Sequence, residues 1–420
     1  MKIDNSISVS RHVAASQREK SQSENKYKRI LLSTLTLGLF LFIGVDGIAQ
    51  SSLDVLIENT IENNKTMMAA RKFYEAEVIS ARTGNSPYNP ELEYAYLWGS
   101  PEQVGDRIDF SVTQSFDFPT AYSSRSKLSK ISRTQAGLRL ETAEQDVIVR
   151  ARQAWIIAVY LNQKQILLKE RLENADLIAG AFERMFQEGE ANQLQLNQAK
   201  LKATALSNEM SRLQMEVVKN NAVISQLNGG DPFLIHDSIF PATENIVLDT
   251  LIRWYQFGPQ NSNFQIEVSR MEQQKEVVFN QKLPKLKAGY YQETILGVQL
   301  KGITAGITIP LWENANAVKS AKAGLVYAQT DAIRFWEQQE LQIRQLYEQW
   351  LMLNKQVDGM RELLLQSHND ALLLKALESG EIPLTQYYYE SDFYFQNKFE
   401  LINVERDLQL LEAELLRVSY

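Results

Sequence analysis

The residue types that carry most side-chain chemistry are scarce in this chain of 420 residues. The absence of cysteine excludes disulfide bonds, thiolate metal sites and a cysteine nucleophile. The three histidines, His12, His236 and His368, lie far apart, so the spacing of a histidine metal site is missing. No glycine-rich phosphate loop and no matched pair of nucleophile and base occurs in the sequence. The sequence therefore predicts no catalytic residue, no cofactor and no metal site.

Weaker chemical signals do not change this conclusion. The run YYYESDFYF, from Tyr387 to Phe395, could stack aromatic ligands, but interhelical packing is the commoner use of such a run. Met67 and Met68 are soft donors, which alone are weak evidence for copper. The formal net charge of -7, from 44 basic and 51 acidic residues, argues against a nucleic-acid partner.

The stretch DRIDFSVTQSFDFP, from Asp106 to Pro119, alternates apolar and polar residues, which is typical of a β-strand with one face of each kind. Gln114 is the exception on the apolar face. The remaining residues of that face are Ile108, Phe110, Val112, Phe116 and Phe118.

The sequence contains an internal duplication, which is the most informative pattern in it. Pro119 and Pro310 align at a separation of 191 residues, and so do Gly189 and Gly380. The second copy repeats the alternating strand, with Ile303, Ile307 and Ile309 on the apolar face. We therefore divide the chain into repeat 1 at 50–228, a linker at 229–245 and repeat 2 at 246–420.

Each repeat is predicted to hold a β-hairpin, a long helix and a returning helix. In repeat 1 these elements are expected at about 92–118, 120–187 and 191–227, and in repeat 2 at about 286–309, 312–378 and 383–418. Pro119 and Pro310 are each expected to begin the long helix. About 70 residues of helix would be about 100 Å long. Apolar positions recur every 3.5 residues along the long helices of both repeats, which indicates coiled-coil packing.

The N-terminus has the features of a secretory signal peptide within residues 1–49. Basic residues precede the apolar run from Ile30 to Ile43, and Gly47 and Ala49 supply the small residues of a cleavage site after Ala49. The polar residues 1–25 in front are either a long n-region or the product of a start codon assigned too early.

Two interpretations of the four predicted strands remain at this point. Their apolar face could cover a layer of helices in a soluble protein. It could instead face lipid, since the strands approach the roughly 9 to 11 residues of a membrane-spanning strand. A barrel in lipid must close, and single-chain barrels start at about eight strands, so several copies would have to contribute.

From about Ser51 to Tyr420, the chain resembles the TolC-type outer-membrane efflux channels. The resemblance rests on the duplicated hairpin and long helix, on NPEL at Asn89–Leu92, on the strand ends FDFP and TIPLW, and on the glycines at the helical turns. NPELEYAY and DFSVTQSFDFP are most similar to the branch that works with heavy-metal efflux pumps, the CusC/CzcC-like branch.

The resemblance implies an α+β membrane protein that forms a homotrimer. Four strands from each protomer would close a twelve-stranded β-barrel in the outer membrane of a Gram-negative bacterium, and the helices would continue as a coiled-coil α-barrel into the periplasm. Such a channel is a passive conduit and not an enzyme. Its expected partners are a periplasmic adaptor (membrane fusion) protein, an inner-membrane pump of the RND type and outer-membrane lipid. The sequence leaves open whether metal cations or other small molecules are carried.

The resemblance also assigns roles to particular residues. Gly189, Glu190, Gly380 and Glu381 would form the periplasmic tips that dock the adaptor. Members of the family carry two carboxylates six and nine residues after the second glycine, where this chain has Gln386 and Tyr389. Glu390 and Asp392 are the neighbouring acidic candidates for the periplasmic gate.

The alternative function is a periplasmic coiled-coil adaptor or a scaffold protein without a pore. An adaptor is expected to have one helical hairpin flanked by compact β domains, and a scaffold does not need alternating strands.

Overall fold

The computed structural model describes residues 51–100, 105–242, 245–366 and 369–420. The expected signal peptide at 1–49 lies outside these residues, as do His12 and His368. Residues Ser52–Tyr420 form one compact unit.

The described residues contain long helices, short helices and four strands, followed by a short 3₁₀ helix at Arg417–Ser419. The helices are α1 Ser52–Asn63, α2 Lys65–Ser80, α3 Pro119–Glu188, α4 Gln193–Leu227, α5 Leu248–Phe257, α6 Pro259–Asn280, α7 Ala317–Gln366, α8 Asn369–Glu378 and α9 Leu384–Leu415. The strands are β1 Glu91–Leu97, β2 Arg107–Phe116, β3 Lys285–Ile295 and β4 Val298–Thr308.

Helix α3 runs without a break for 70 residues, about 105 Å at 1.5 Å per residue. Pro119 occupies its first turn, where the missing N–H has no helical acceptor to lose. Gly189 ends the helix at a φ of 82°, the left-handed conformation that glycine adopts without a side-chain penalty.

The expectation that Pro310 begins the second long helix is wrong. Residues 311–316 form a turn, and α7 begins at Ala317. Asn316 has a φ of 64°, so its backbone is left-handed and cannot be part of a right-handed helix. The predicted helix at 312–378 corresponds to α7 and α8, with residues 367–368 outside the description.

The two long helices have different surroundings. Helix α3 contacts α1, α2, α4, α6 and α9, whereas the main contacts of α7 are with α6, α9 and the short α5. The helices therefore form one layer. Near the sheet, neighbouring helices follow the order α2, α3, α6, α7. Further from the sheet, the order is α4, α3, α9, α7. Helix α3 is central in this layer and α7 lies at one edge.

The segment between the repeats, predicted as a linker at 229–245, packs into the core. Ile235 and Phe240 are buried in the main hydrophobic cluster around the middle of α3. Trp155 of α3 donates its indole N–H to Ser52 Oγ at 2.8 Å and to Asp237 Oδ2 at 3.0 Å. The segment thereby fastens α1 to the middle of α3.

The four strands form one antiparallel sheet in the order β1-β2-β3-β4, with the two hairpins side by side. Leu296 and Gly297 connect β3 to β4 with positive φ at both positions, as a two-residue type I′ turn requires. Strands β1 and β4 are the edges, and each pairs on one side only within the described chain. Two residues expected in the strands, Phe118 and Ile309, lie beyond their ends, because β2 stops at Phe116 and β4 at Thr308.

Candidate functional site

Strand register places the alternating residues of both hairpins on common faces. Val112 pairs with Leu92 on one side and with Tyr290 on the other, and Tyr290 pairs with Ile303. Directly paired residues of an antiparallel sheet point to the same face. These four residues therefore form an apolar row across all four strands.

The apolar face is uncovered within the described chain. None of the described helices packs extensively against a strand, and the side chain of Ile303 is 89% exposed. Among the described residues the sheet therefore does not cover a layer of helices, which argues against one of the two interpretations left open by the sequence. Other exposed residues of this face are Leu92, Tyr94, Phe116, Leu286, Tyr290 and Ile307.

The apolar face is not uniform along the strands. Towards the hairpin turns the second hairpin places Gln292 and Lys301 opposite each other on this face. The first hairpin stays apolar in the same row, where Tyr94 pairs with Phe110. The four-strand apolar band is therefore limited to the half of the sheet nearer the helices, where Gln114 is its polar exception.

The opposite face carries a polar network near the hairpin turns. Arg107 Nε lies 2.8 Å from Asp109 Oδ1 and 3.1 Å from Glu293 Oε1. The same guanidinium donates to the Tyr291 hydroxyl at 2.9 Å. The network joins β2 to β3 on a face that also carries Glu93 and Ser111.

Two tryptophans that the sequence analysis did not single out lie at opposite ends of the sheet. Trp98 follows β1 at the hairpin end and Trp312 follows β4 at the helix end, and each is 82% exposed. Tyr96 packs edge-to-face against Trp98 at 5.6 Å between ring centroids. In the sequence these tryptophans occur in YLWGS and PLWEN. Their positions, one and four residues after the ends of strands, could have indicated that they lie at the ends of the sheet.

The two helical turns farthest from the sheet have the same backbone geometry. After Gly189, the Glu190 N–H donates to Met185 O at 2.8 Å, and after Gly380 the Glu381 N–H donates to Ala376 O at 2.9 Å. Both glycines have a φ near 80°, at 82° and 74°. Glu190 and Glu381 are exposed.

These turns are held side by side by a small hydrophobic cluster. Ile178 and Phe182 of α3 and Leu196 of α4 pack with Leu384 and Tyr388 of α9. Burial raises the pKa of Tyr388 well above its usual value, and its hydroxyl has no hydrogen-bond partner among the described residues. Tyr388 is therefore a neutral core residue of the turn region.

The candidate gate residues on α9 divide between two sides of the helix. Gln386 is exposed and Tyr389 is 74% exposed, whereas Glu390 is half-buried towards α7. Asp392 lies on the side facing α3 and α4, where it forms an ion pair with Arg171 and another with Lys202 at 2.6 Å. These basic partners are far from Asp392 in sequence, and no local pattern indicates them.

Other residues with possible chemistry are not brought together. His236 is exposed in the segment between the repeats. Across the residues described here, no three His, Asp or Glu side chains form a group that could hold a metal ion.

Within the described chain, no helix combines the length and the apolar character needed to cross a membrane.

Comparison by sequence finds no family model that matches the chain and no match among curated proteins. Comparison of the fold with solved structures does find similar chains. A CusC structure, from work on its folding and transmembrane channel formation, has a TM-score of 0.72 and 13% identity over 87% of this chain and 91% of its own.

Two further structures are similar to the same degree. The CmeC outer membrane channel of Campylobacter jejuni has a TM-score of 0.72 and 15% identity, over 87% of this chain and 85% of its own. The outer membrane protein VceC of Vibrio cholerae has a TM-score of 0.70 and 13% identity, over 87% of this chain and 95% of its own. The resemblance expected from the sequence is confirmed at the level of the fold.

Proposed function

We propose that this chain, which shares its fold with outer-membrane channels, is one protomer of a trimeric conduit across the outer membrane. The conduit would be the outer-membrane part of a tripartite efflux system and would carry out no chemical reaction of its own. The observation that carries the proposal is a four-stranded sheet whose two edges are unpaired and whose apolar face is uncovered among the described residues.

Unpaired edges and an uncovered apolar face are explained together by ring closure in lipid. An open edge leaves backbone N–H and C=O groups unpaired, which lipid cannot satisfy. Pairing β4 of one copy with β1 of the next is a head-to-tail contact, which gives a ring when the rotation between copies closes. Three copies would give the twelve strands that the family resemblance implies.

The dimensions of the sheet suit a bilayer. Strand β2 has ten residues, about 33 Å at 3.3 Å per residue. With the tilt of about 40° found in membrane barrels, it would span about 25 Å, the height of their apolar band. Trp98 and Trp312 at the two ends of the sheet would lie in the aromatic girdles found at membrane interfaces.

The apolar face would then contact lipid. The proposed lipid-facing strand residues are Ile108, Phe110, Val112, Phe116, Ile303 and Ile307, while Phe118 and Ile309 would lie at the membrane boundary beyond the strand ends. The polar face with Arg107, Asp109 and Glu293 would line the lumen.

The helices would extend into the periplasm and end at the turns of Gly189 and Gly380. We assign docking of a periplasmic adaptor to these turns and their glutamates, and the adaptor would connect the conduit to an inner-membrane pump of the RND type. The exposed turns with duplicated geometry support this assignment. The cargo is a metal cation or another small molecule.

The gate would be narrowed by side-chain bulk more than by charge. Of the four gate candidates, Gln386 and Tyr389 are exposed, while the carboxylate of Asp392 is already neutralised by Arg171 and Lys202. Carboxylate rings are a common source of cation selectivity. We therefore expect weak block by trivalent cations in planar bilayers, and stronger block after Gln386→Asp with Tyr389→Asp. Strong block of the wild type would show that another acidic residue forms the ring.

The proposal is tested by adding charge to neighbouring residues on the two faces of β2. Val112→Arg places a cation in the all-apolar row and should cost about 2 to 4 kcal/mol per protomer near the bilayer midplane. Ser111→Arg is the matched control, because its side chain lies on the polar face opposite Glu93. The fraction of protein that stays with outer membranes after a carbonate wash is the measurement.

We expect Val112→Arg to lose membrane-assembled protein and Ser111→Arg to retain it. Equal retention of both variants would contradict the assignment of the faces. Release of the wild type by the wash would favour a periplasmic adaptor or scaffold.

A further inference from the structure

A groove of about 520 Å³ lies between α7, α8 and α9, near the helical turn at Gly380. Its walls are mainly apolar and all come from one chain. Side chains that form them include Met360, Leu364, Leu373, Ile382, Phe393 and Tyr394. The volume is within the range of about 300 to 1,000 Å³ that is typical of small-molecule sites.

One carboxylate, that of Glu390, lies in this apolar groove. It is half-buried, and no ion pair or hydrogen bond to it is formed by the described residues. Two cations of the helices that form the groove have other partners: Arg361 of α7 binds Glu405 at 2.7 Å, and Lys398 of α9 lies 4.5 Å from the centre of the Tyr394 ring. Among the described residues, none therefore pairs with the negative charge of the groove.

We propose that this groove binds an amphipathic organic cation, with the charge next to Glu390 and the hydrocarbon part against the apolar walls. The groove discriminates by combining two features. A neutral hydrophobe would gain only the apolar contact, and an organic anion would be repelled by Glu390. A small hydrated cation would gain only one partly exposed ion pair, which is worth little.

Phe393 strengthens the match to a cation. Its ring lines the groove one turn from Glu390 and is well exposed. Aromatic faces attract organic cations, with estimates from about 0.5 to more than 2 kcal/mol depending on desolvation. The site goes beyond the proposed conduit and does not depend on it.

Tetraphenylphosphonium is the probe that tests this inference, since it is a hydrophobic monocation without hydrogen-bonding groups. Its binding to the full, assembled protein would be measured by equilibrium dialysis with matched detergent blanks. We expect saturable binding of one probe per chain, and little saturable binding of neutral triphenylphosphine oxide or anionic tetraphenylborate.

Variants on α9 separate the carboxylate from general hydrophobic adsorption. Glu390→Gln keeps the shape of the side chain and should weaken binding about tenfold, and Phe393→Ala should weaken it as well. Glu400→Gln, at an exposed acidic residue of the same helix, should bind like the wild type.

Equal affinity of the wild type and Glu390→Gln would overturn the inference, as would equal binding of the neutral probe. Absence of saturable binding in the assembled protein would also overturn it. The mass of the assembly is measured separately, so failure of the conduit proposal and failure of this site are distinguishable.

Discussion

Helices α3 and α7 occupy equivalent places in the two repeats, yet their burial differs greatly. Helix α3 is almost completely surrounded in its middle, where consecutive residues such as Val147, Ile148 and Val149 are all buried. Helix α7 buries only five side chains over its 50 residues: Ala328, Ala332, Ile343, Trp350 and Val357. The central helix finds its neighbours within the chain, and the edge helix lacks one on its outer side.

The uncovered side of α7 is apolar enough to need a partner. Outside the groove near Gly380, its exposed large apolar residues are Val326, Tyr327, Ile333, Leu341, Leu351, Met352 and Leu365. The opposite edge of the layer, formed by α2 and α4, also exposes apolar residues, including Met68, Phe73, Leu201, Met215 and Val218. Contiguous exposed apolar surface usually marks an interaction site. The difference between α3 and α7 therefore supports a second copy at each edge.

The largest expected difference in stability is between two leucine-to-alanine variants, one on each helix. Leu168 of α3 is 0% exposed and Leu341 of α7 is 59% exposed. Leu168→Ala should lower the free energy of unfolding by about 2 to 5 kcal/mol, since it leaves a cavity in the core. Leu341→Ala should change the unfolding of dissociated protomers by less than about 0.5 kcal/mol, while weakening their association. Denaturant titration of both variants is the measurement, and equal destabilisation would mean that Leu341 is covered within its own chain.

The second largest expected loss of stability comes from the side of α9 that faces α3. Asp392→Asn removes the charged partner of Arg171 and Lys202, whose side chains are mostly buried. We expect a loss of about 1.5 to 3 kcal/mol, typical of hydrogen bonds to charged groups. Thermal unfolding of Asp392→Asn and of Glu400→Gln, an exposed control on α9, would measure the difference. A match between the two variants would show that the ion pairs contribute nothing to the junction of the repeats.

A glycine-to-alanine substitution should lower the stability of the chain at the end of α3 and raise it in the interior of the helix. Gly189→Ala forces a side chain into a φ of 82° and should destabilise the chain by about 1 to 2 kcal/mol. Gly137 lies within the helix, where an added methyl group meets nothing within 4 Å. Gly137→Ala should therefore stabilise by about 0.5 to 1 kcal/mol. If Gly137→Ala instead lowered the stability, this would indicate that another copy packs against this face of α3.

The sequence predicted the periodic and duplicated parts of the molecule best. The strand alternation around Phe110 and the heptads of α3 depend on local chemistry, and the structure has a strand and a helix in those places. The start of α7 was missed because a left-handed Asn316 has no distinctive pattern in sequence. The role of Asp392 was missed because its partners are 190 and 221 residues away.

The smallest expected effect is a pH dependence of the stability that the contact between α3 and α6 contributes. Arg270 holds the pKa of Glu267 below its usual value, and Gln135 of α3 donates to the same carboxylate at 2.8 Å. Because the folded pKa is lowered, this contribution is present above the unfolded value of about 4.3 and is lost as the pH falls through the folded value. The Glu267 side chain is 28% exposed, so solvent screens the ion pair in part and we expect a contribution of less than about 1 kcal/mol.

Melting temperatures of the wild type and Glu267→Gln test this dependence. Their difference should be largest near pH 7 and should shrink below about pH 4, where the carboxylate becomes protonated. A difference that does not change with pH would mean that the charge of Glu267 does not stabilise the contact.

The mass of the purified protein in detergent tests the central claim most directly. Each chain supplies four strands with two unpaired edges, and single-chain membrane barrels start at about eight strands. We predict a trimer, measured by light scattering with the detergent contribution subtracted or by native mass spectrometry. A monomer or a dimer as the only species would contradict closure by three copies.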